Sequence, residues 1–266
     1  MTENRKIMTI SLAPAERSEE MLDEIAMDEP MCIFVNGEYL VTLITSPQMK
    51  KELAVGHLLG ESIIHDISEI KSIKFRENDV HIELEKEVDL REASIGMMNL
   101  IVTACSAKPR ARGQKIMVPK VKSEMKVDPK SIVNMIRELN MRSDVHLRTR
   151  GTHAAMACTA LGEVQAFAED VGRHNAMDKV IGSLALRNID QGKCVLHSTG
   201  RQSGEMVQKA ARAGIPVIAS MTVPLLSGVR LAETSGVTLI SIDRGKVKVY
   251  THPYRINIEG STAETA

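Results

Sequence analysis

One cysteine of this chain stands where a thiol can do chemistry. In LIVTACSAKPRARGQK, residues 100–115, an apolar run ends at Cys105, and Ser, Ala, Pro and Gly around it predict a segment that can swing. The cations that follow are Lys108, Arg110, Arg112 and Lys115. Neighbouring cations lower the pKa of a thiol and favour the reactive thiolate. Such a thiol suits persulfide transfer and equally suits redox sensing. An inert cysteine at the end of a strand is the remaining interpretation.

Three polar loops have the composition of an anion site. They are EDVGRHN at 169–175, HSTGRQSGE at 197–205 and SMTVPLLSG at 220–228, and each precedes a predicted helix. Helix N-termini favour phosphates, and Arg173 and Arg201 can each grip phosphate oxygens with two donors. The candidate binding residues are Gly172, Arg173, His174, Asn175, Gly200, Arg201 and Ser203. The glycines also suit simple tight turns and Arg173 a surface ion pair, but the recurrence at two strand–helix junctions favours a site.

His153, in RTRGTHAA, is a further candidate binding residue. It can bind a ligand, carry a proton or lie satisfied at the edge of a strand. Zinc-dependent deaminases combine H-x-E with P-C-x-x-C, whereas Ala154 and Ala155 follow this histidine and no P-C-x-x-C occurs. We therefore expect no catalytic zinc and no other metal site. The remaining cysteines lie in apolar runs and are predicted to be small buried hydrophobic residues; they are Cys32, Cys158 and Cys194.

The second half of the chain must position these loops. Its pattern predicts strands at 153–159, 164–168, 194–197, 216–220, 237–242 and 246–250, and helices at 131–139, 175–187, 203–213 and 225–235. Such alternation predicts an α/β fold with a mainly parallel sheet. Ligands bind such sheets beyond the carboxyl ends of the strands, so the three loops are expected to meet at one edge.

The first half predicts a smaller α+β unit. Asn36-Gly37 between two apolar runs indicates a type I′ hairpin, and Ser46 with Pro47 predicts the start of a helix over 46–64. Two further strands are predicted at 70–75 and 80–84. The stretch 108–126 carries seven basic residues and one acid, which is also typical of a solvated linker.

These elements predict two domains and a tail. Residues 1–125 form an N-terminal α+β domain that ends in the basic Cys105 loop. Residues 126–256 form the C-terminal α/β domain, and residues 257–266 form a flexible tail.

Composition excludes some classes of function. Among the 266 residues aromatics make up 2%, Trp is absent, and 34 basic residues balance 34 acidic ones. Few rings remain for stacking on bases, so we expect no nucleic-acid partner. No run approaches a membrane span of about 20 apolar residues, and the N-terminus has no secretory apolar region. The cysteines form no CxxC pair, which favours a reducing, cytoplasmic setting.

Long stretches resemble the FdhD family of formate dehydrogenase accessory proteins. They are GTHAAMACTALGEVQAFAEDVGRHNAMDKVIG, STGRQSGEMVQKAARAGIPVIASMTVP, LAETSGVTLISIDRGKVKVYTHPYRI and VNGEYLVTLITSPQMKKELAVGHLLGESII. The resemblance runs from about Pro30 to Ile256. It implies a C-terminal domain similar to the cytidine deaminase fold without its zinc site, and a homodimer.

The resemblance also implies a sulfur carrier. Family members take persulfide sulfur from a cysteine desulfurase and pass it to the molybdenum (or tungsten) bis-guanine-dinucleotide cofactor of formate dehydrogenase. The family's persulfide cysteine falls on Cys105. Its cofactor contact falls on the strand turn formed by Ile242, Asp243, Arg244, Gly245, Lys246 and Val247. GDP is the expected mimic of this cofactor.

One departure from the family pattern leaves the mechanism open. Many members carry CxxC in this loop, whereas Cys105 is followed three positions later by Lys108. One cysteine can hold a persulfide but cannot resolve it into an internal disulfide. The alternatives are a cofactor-binding chaperone without sulfur chemistry and, more weakly, a regulatory protein that binds guanine nucleotides.

Overall fold

The computed structural model describes residues 1–13, 17–88 and 118–258. Cys105, Lys108, Arg110, Arg112 and Lys115 lie outside the described residues, as does the tail from residue 259. The chain begins with an antiparallel hairpin of β1 (Thr2–Ser11) and β2 (Arg17–Ala26). This hairpin was not predicted from the sequence, because each of its faces mixes apolar with charged residues. Ile7 and Met21, for example, lie on the same face as Arg5 and Asp23.

A four-stranded sheet follows, in the order β4-β3-β6-β5. Its strands are β3 (Glu29–Val35), β4 (Glu38–Thr45), β5 (Ile70–Arg76) and β6 (Asp79–Leu84). The predicted Asn36-Gly37 turn is confirmed, with φ angles of 51° and 81°, the left-handed values that a type I′ turn requires. The predicted strands at 70–75 and 80–84 are confirmed as well.

The helix after this hairpin starts later than predicted. Helix α1 spans Lys50–Gly60, and Met49 precedes it in a left-handed conformation with φ of 58°. The prediction that Ser46 begins the helix is wrong. The Ser46 hydroxyl accepts a hydrogen bond from the Val171 N–H at 3.2 Å instead. A contact 125 positions along the chain therefore outweighs the local capping preference.

The second half forms a six-stranded sheet in the order β12-β11-β10-β9-β7-β8. Its strands are β7 (His153–Cys158), β8 (Val164–Asp170), β9 (Val195–Ser198), β10 (Val217–Ser220), β11 (Thr238–Asp243) and β12 (Lys246–Val249). The helices are α2 (Pro129–Arg142), α3 (Asp144–Thr149), α4 (Arg173–Leu186), α5 (Gly204–Arg212) and α6 (Leu226–Ser235). Strands β9, β10 and β11 pair in parallel, and antiparallel β7, β8 and β12 flank them. The predicted α/β class is confirmed.

Two apolar clusters cover the two faces of the large sheet. One contains Leu196 and Ile218 of the sheet together with α1, α4, α5 and the inner face of the small sheet. The other contains Met156 and Ile240 under α2. The small sheet and α1 thus share a core with the large sheet, and this body positions the loops at the edge of the large sheet.

The predicted boundary at 125/126 stays a prediction. Residues before it already contact the second half: Val121 donates its N–H to the Ser235 carbonyl at 2.8 Å, and the buried Arg255 side chain donates to the carbonyl of Ser123 at 3.1 Å. In the predicted tail, the Asn257 N–H donates to the Val127 carbonyl at 3.0 Å.

Candidate functional site

One edge of the large sheet gathers the predicted loops. Strands β8, β9, β10 and β11 run in the same direction, and β7 runs against them. Their carboxyl ends therefore meet at one edge, together with His153 at the amino end of β7. Each of the three polar loops enters a helix there, α4, α5 or α6 in turn. The alternation of strands and helices in the sequence predicts this assembly.

The first two loops touch through a glycine. A Cβ atom added at Gly200 would lie 2.9 Å from Cβ and 3.0 Å from Cδ of Arg173. Only a residue without a side chain lets the Arg173 stem cross the second loop at this distance. Gly200 therefore has a packing function that determines where Arg173 lies.

Hydrogen bonds join the second loop to the third. The Ser220 hydroxyl donates to the Gly200 carbonyl at 2.9 Å, and the Leu225 N–H donates to the Gln202 carbonyl at 3.0 Å. The Ser203 Oγ atom is buried without a hydrogen-bond partner among the described residues. Arg201 is exposed. The junction thus offers a cation and a hydroxyl beside the N-terminus of α5.

Two histidines flank this junction. His174 Nε2 lies 3.7 Å from Glu205 Oε2, and burial together with the Lys209 charge lowers the pKa of His174 to about 4. His153 Nδ1 lies 3.3 Å from the Thr199 hydroxyl. Burial and the Arg173 charge lower its pKa as well. His174 is therefore neutral at pH 7 and adds no charge to the site.

The β11–β12 turn reaches the same edge. Ser241 of β11 pairs with Ser220, so the chain from Ile242 to Val247 extends beyond the end of β10. Ile242 and Val247 pack on the apolar cluster under α2. Arg244 and Gly245 have φ angles of 48° and 77° and make a tight turn.

The charged side chains of this turn are exposed. They belong to Asp243, Arg244 and Lys246. The Asp243 carboxylate accepts a hydrogen bond from Lys248 Nζ at 2.7 Å. The turn therefore presents Arg244 and Lys246 to solvent at the edge where the polar loops lie.

The Asn175 side chain makes buried hydrogen bonds within the protein. Its Nδ2 atom donates to the Ile44 carbonyl at 2.8 Å and to Asp170 Oδ1 at 3.0 Å, and only 8% of the residue is exposed. These contacts give Asn175 a structural role. Its role as a binding residue stays a prediction.

Gln202, which was not predicted as a site residue, supports the second loop from inside. Its side chain is fully buried, and Nε2 donates to the Gly200 carbonyl at 2.7 Å. A glutamine in a polar loop reads as solvent-exposed, so its type alone carried no signal.

His197, at the start of the second loop, lies on the other face of the sheet. Its Nε2 atom is 3.0 Å from Met135 Sδ, and burial lowers its pKa to about 3. In the unfolded chain the His197 imidazole takes up a proton near pH 6.5, whereas in the folded chain it stays neutral at that pH. Acid therefore favours unfolding from about pH 6.5 downward.

This histidine predicts a pH-dependent stability. Between pH 7 and pH 5 the wild type is expected to lose about 2 kcal/mol of unfolding free energy more than His197→Gln does. Urea titrations at both pH values measure this, and the other titrating groups cancel in the comparison. Equal losses in the two proteins would contradict the assignment of a neutral buried imidazole.

The three described cysteines differ in their suitability for chemistry. Burial raises the pKa of Cys158 to about 12 and that of Cys194 to about 11. Both are buried, as predicted. The prediction that Cys32 is buried is wrong. It is half-buried, with Sγ 3.3 Å from the Thr42 hydroxyl, because its side chain faces away from the core of the small sheet.

Within residues 1–13, 17–88 and 118–258, no group of three or more His, Cys, Asp or Glu side chains is placed to hold a metal ion. Across these same ranges, every helix is too short or too polar to span a lipid bilayer.

Comparisons with known proteins give one consistent family. The sequence profile of the FdhD/NarQ family matches residues 26–257. The "Sulfur carrier protein FdhD" of Sulfolobus acidocaldarius is 34% identical, over 89% of this chain and 92% of the relative. The protein of that name from Methanothermobacter thermautotrophicus is 33% identical, over 88% and 92%. A crystal structure described as a formate dehydrogenase accessory protein, from Desulfotalea psychrophila, superposes with a TM-score of 0.76 at 26% identity, over 96% of this chain and 99% of that one.

Proposed function

The chain belongs to the FdhD/NarQ family, and we propose on this premise that it is a sulfur carrier that serves formate dehydrogenase. The observation that carries the proposal is the extent of the match to relatives of that name, which covers most of both chains. The matched residues 26–257 include Cys105 and every other residue proposed for the site.

Cys105 is the thiol proposed to carry the sulfur. Its thiolate attacks the outer sulfur of a persulfide on a cysteine desulfurase, the donor's sulfur–sulfur bond breaks, and the donor thiolate leaves. Burial and raised pKa values make Cys158 and Cys194 poor nucleophiles. Of the two remaining thiols, Cys105 is the one followed by a run of cations.

The acceptor proposed is the molybdenum or tungsten bis-guanine-dinucleotide cofactor, which is cargo here. It carries two pyrophosphates and therefore requires cations and N–H donors. The exposed Arg201, Arg244 and Lys246 at one edge of the sheet supply cations. The buried Ser203 hydroxyl, which has no partner in the described part of the chain, fits a further polar contact. Electroneutrality of the whole chain is no obstacle, because these cations cluster at that edge.

A second candidate function is a chaperone that binds and delivers the cofactor without sulfur chemistry. The observation that favours it is Lys108, three positions after Cys105, where the resemblance to the family implies a second cysteine in many members. Complementation of a strain that lacks its own family member distinguishes the two functions. If the protein is a sulfur carrier, the wild type and Cys32→Ala restore formate dehydrogenase activity, whereas Cys105→Ala does not. Equal restoration by Cys105→Ala would favour the chaperone.

We call the edge of the sheet that holds the three polar loops and the turn from Ile242 to Val247 the anion edge. It makes a prediction for the binding of GDP, the proposed mimic of the cofactor. Loss of one charged contact costs about 1.5–3 kcal/mol, so Arg173→Ala and Arg201→Ala are each expected to weaken GDP binding about tenfold or more. Arg17→Ala, an exposed arginine of β2, is the control and is expected to leave binding unchanged. Isothermal titration measures all four proteins. Equal affinities would remove both loops from the site and would also count against a guanine-nucleotide regulatory role.

The remaining partners follow from the same proposal. They are formate dehydrogenase as client, a cysteine desulfurase as sulfur donor and a second copy of the chain in a homodimer. We propose the cytoplasm as the site of action, because a reactive thiol requires a reducing compartment.

A further inference from the structure

Asp170, the last residue of β8, is the hub of a buried polar network. Its carboxylate is the acceptor for donors from both halves of the chain. The donors are Thr45 Oγ1 at 2.5 Å, the Ser46 N–H at 3.1 Å, the Gly172 N–H at 2.8 Å, Asn175 Nδ2 at 3.0 Å and Lys179 Nζ at 2.5 Å. The Asp170 and Lys179 side chains have no exposed surface.

Ser46 bonds back to the same place. Its hydroxyl accepts from the Val171 N–H at 3.2 Å, and its carbonyl accepts from Lys179 Nζ at 3.1 Å. Hydrogen bonds therefore run in both directions between the end of β4 and the turn before α4. We call Thr45, Ser46, Asp170, Asn175 and Lys179 the Asp170 clasp.

Stability alone does not account for the clasp. A buried ion pair pays a desolvation penalty, and apolar residues of similar volume often stabilise a protein as well or better. Directional hydrogen bonds to a carboxylate, by contrast, determine the position of each donor. The donors here include the backbone N–H of Gly172, immediately before Arg173 and His174.

The clasp also joins two parts of the proposed mechanism. On one side lies the loop that presents Arg173 to the anion edge. On the other side, β4 belongs to the small sheet. Val88 and Val118, which border residues 89–117, pack against the apolar cluster that includes this sheet. The clasp therefore connects the small sheet, whose apolar cluster also holds the residues on both sides of that segment, to the loop at 169–175.

We propose that the Asp170 clasp is a positioning device. It holds the turn 171–174 in its binding geometry and fixes the position of the small sheet relative to that turn. Asp170, Ser46 and Lys179 are positioning residues and contact no ligand. The inference rests on the proposed function only for the identity of the ligand at that turn.

Hydrogen exchange read at single amides, combined with GDP titration, tests the clasp in the full-length protein. The variants are Asp170→Asn, which removes the charge, and Ser46→Ala, which removes only the acceptor of the Val171 N–H. Asp170→Asn leaves Lys179 buried without its counter-ion, so Ser46→Ala provides the test if that variant does not fold. The control is Thr251→Val. The Thr251 side chain is also buried, and its hydroxyl accepts from the Leu239 N–H and donates to the Val237 carbonyl, both beside β11 and far from the clasp.

Exchange at residues 171–174 is expected to accelerate about tenfold in Ser46→Ala, the factor for one lost hydrogen bond, and GDP affinity to fall by a similar factor. Thr251→Val, at a similar loss of melting temperature, is expected to leave both unchanged. Unchanged exchange in Ser46→Ala, or equal acceleration in Thr251→Val, would overturn the inference. A wild type that binds no GDP would count against the proposed ligand, while the exchange comparison would still decide the clasp.

Discussion

Alanine at Gly56 or Gly182 is expected to destabilise the protein by about 2 kcal/mol. Helices α1 and α4 cross with these glycines in contact. A Cβ at Gly56 would lie 1.8 Å from the Asp178 carbonyl oxygen, and one at Gly182 would lie 1.9 Å from the Glu52 carbonyl oxygen. The obstacles are backbone atoms, which cannot rotate away. The helices must separate instead.

Two effects of opposite sign determine the size of this change. Alanine gains about 1 kcal/mol of helix propensity over glycine. Overpacking a close contact costs about 1–3 kcal/mol and occasionally more, and separation of α1 from α4 also opens the apolar cluster that joins the two halves. Overpacking wins, and because α4 begins at Arg173 its displacement also moves the anion edge.

Urea denaturation measures the effect, with Gly204→Ala as the matched control. Gly204 opens α5, and a Cβ there would meet its nearest atom, Ser227 Cβ, at an ordinary 3.4 Å. We expect this control to stay within about 0.5 kcal/mol of the wild type. If Gly182→Ala unfolds at the same urea concentration as Gly204→Ala, the helices do not cross at these glycines.

The sequence predicted most of the elements around the candidate site, because their signals are local. Alternating strands and helices and the Asn36-Gly37 turn each follow from short-range backbone preferences. The same alternation predicted that distant loops meet at one edge of the sheet. Local patterns of this kind are what makes the α/β class readable from sequence.

The features that sequence reasoning missed depend on contacts between distant residues. Ser46 before Pro47 has the local signature of a helix start, yet its partners lie at Asp170 and Val171. Gly200 and Gly182 read as turn and helix glycines, whereas their function is to admit Arg173 and a second helix. No local pattern distinguishes these roles, because tertiary packing decides them.

Loss of Cys105 is expected to abolish sulfur loading completely. Formation of a persulfide requires a nucleophilic thiolate. Burial raises the pKa of Cys158 to about 12 and that of Cys194 to about 11. At pH 7 fewer than about one in a thousand of these groups is ionised. Cys32 is the matched control, because it is the one half-buried thiol in the described part of the chain. We expect Cys32→Ala to load as the wild type does.

The most direct test of the sulfur-carrier proposal is the intact mass of the protein after incubation with a cysteine desulfurase and cysteine. The wild type and Cys32→Ala are expected to gain the mass of one sulfur atom, which dithiothreitol removes, and Cys105→Ala is expected to gain none. A gain of the same mass by Cys105→Ala, or no gain by the wild type, would contradict the account.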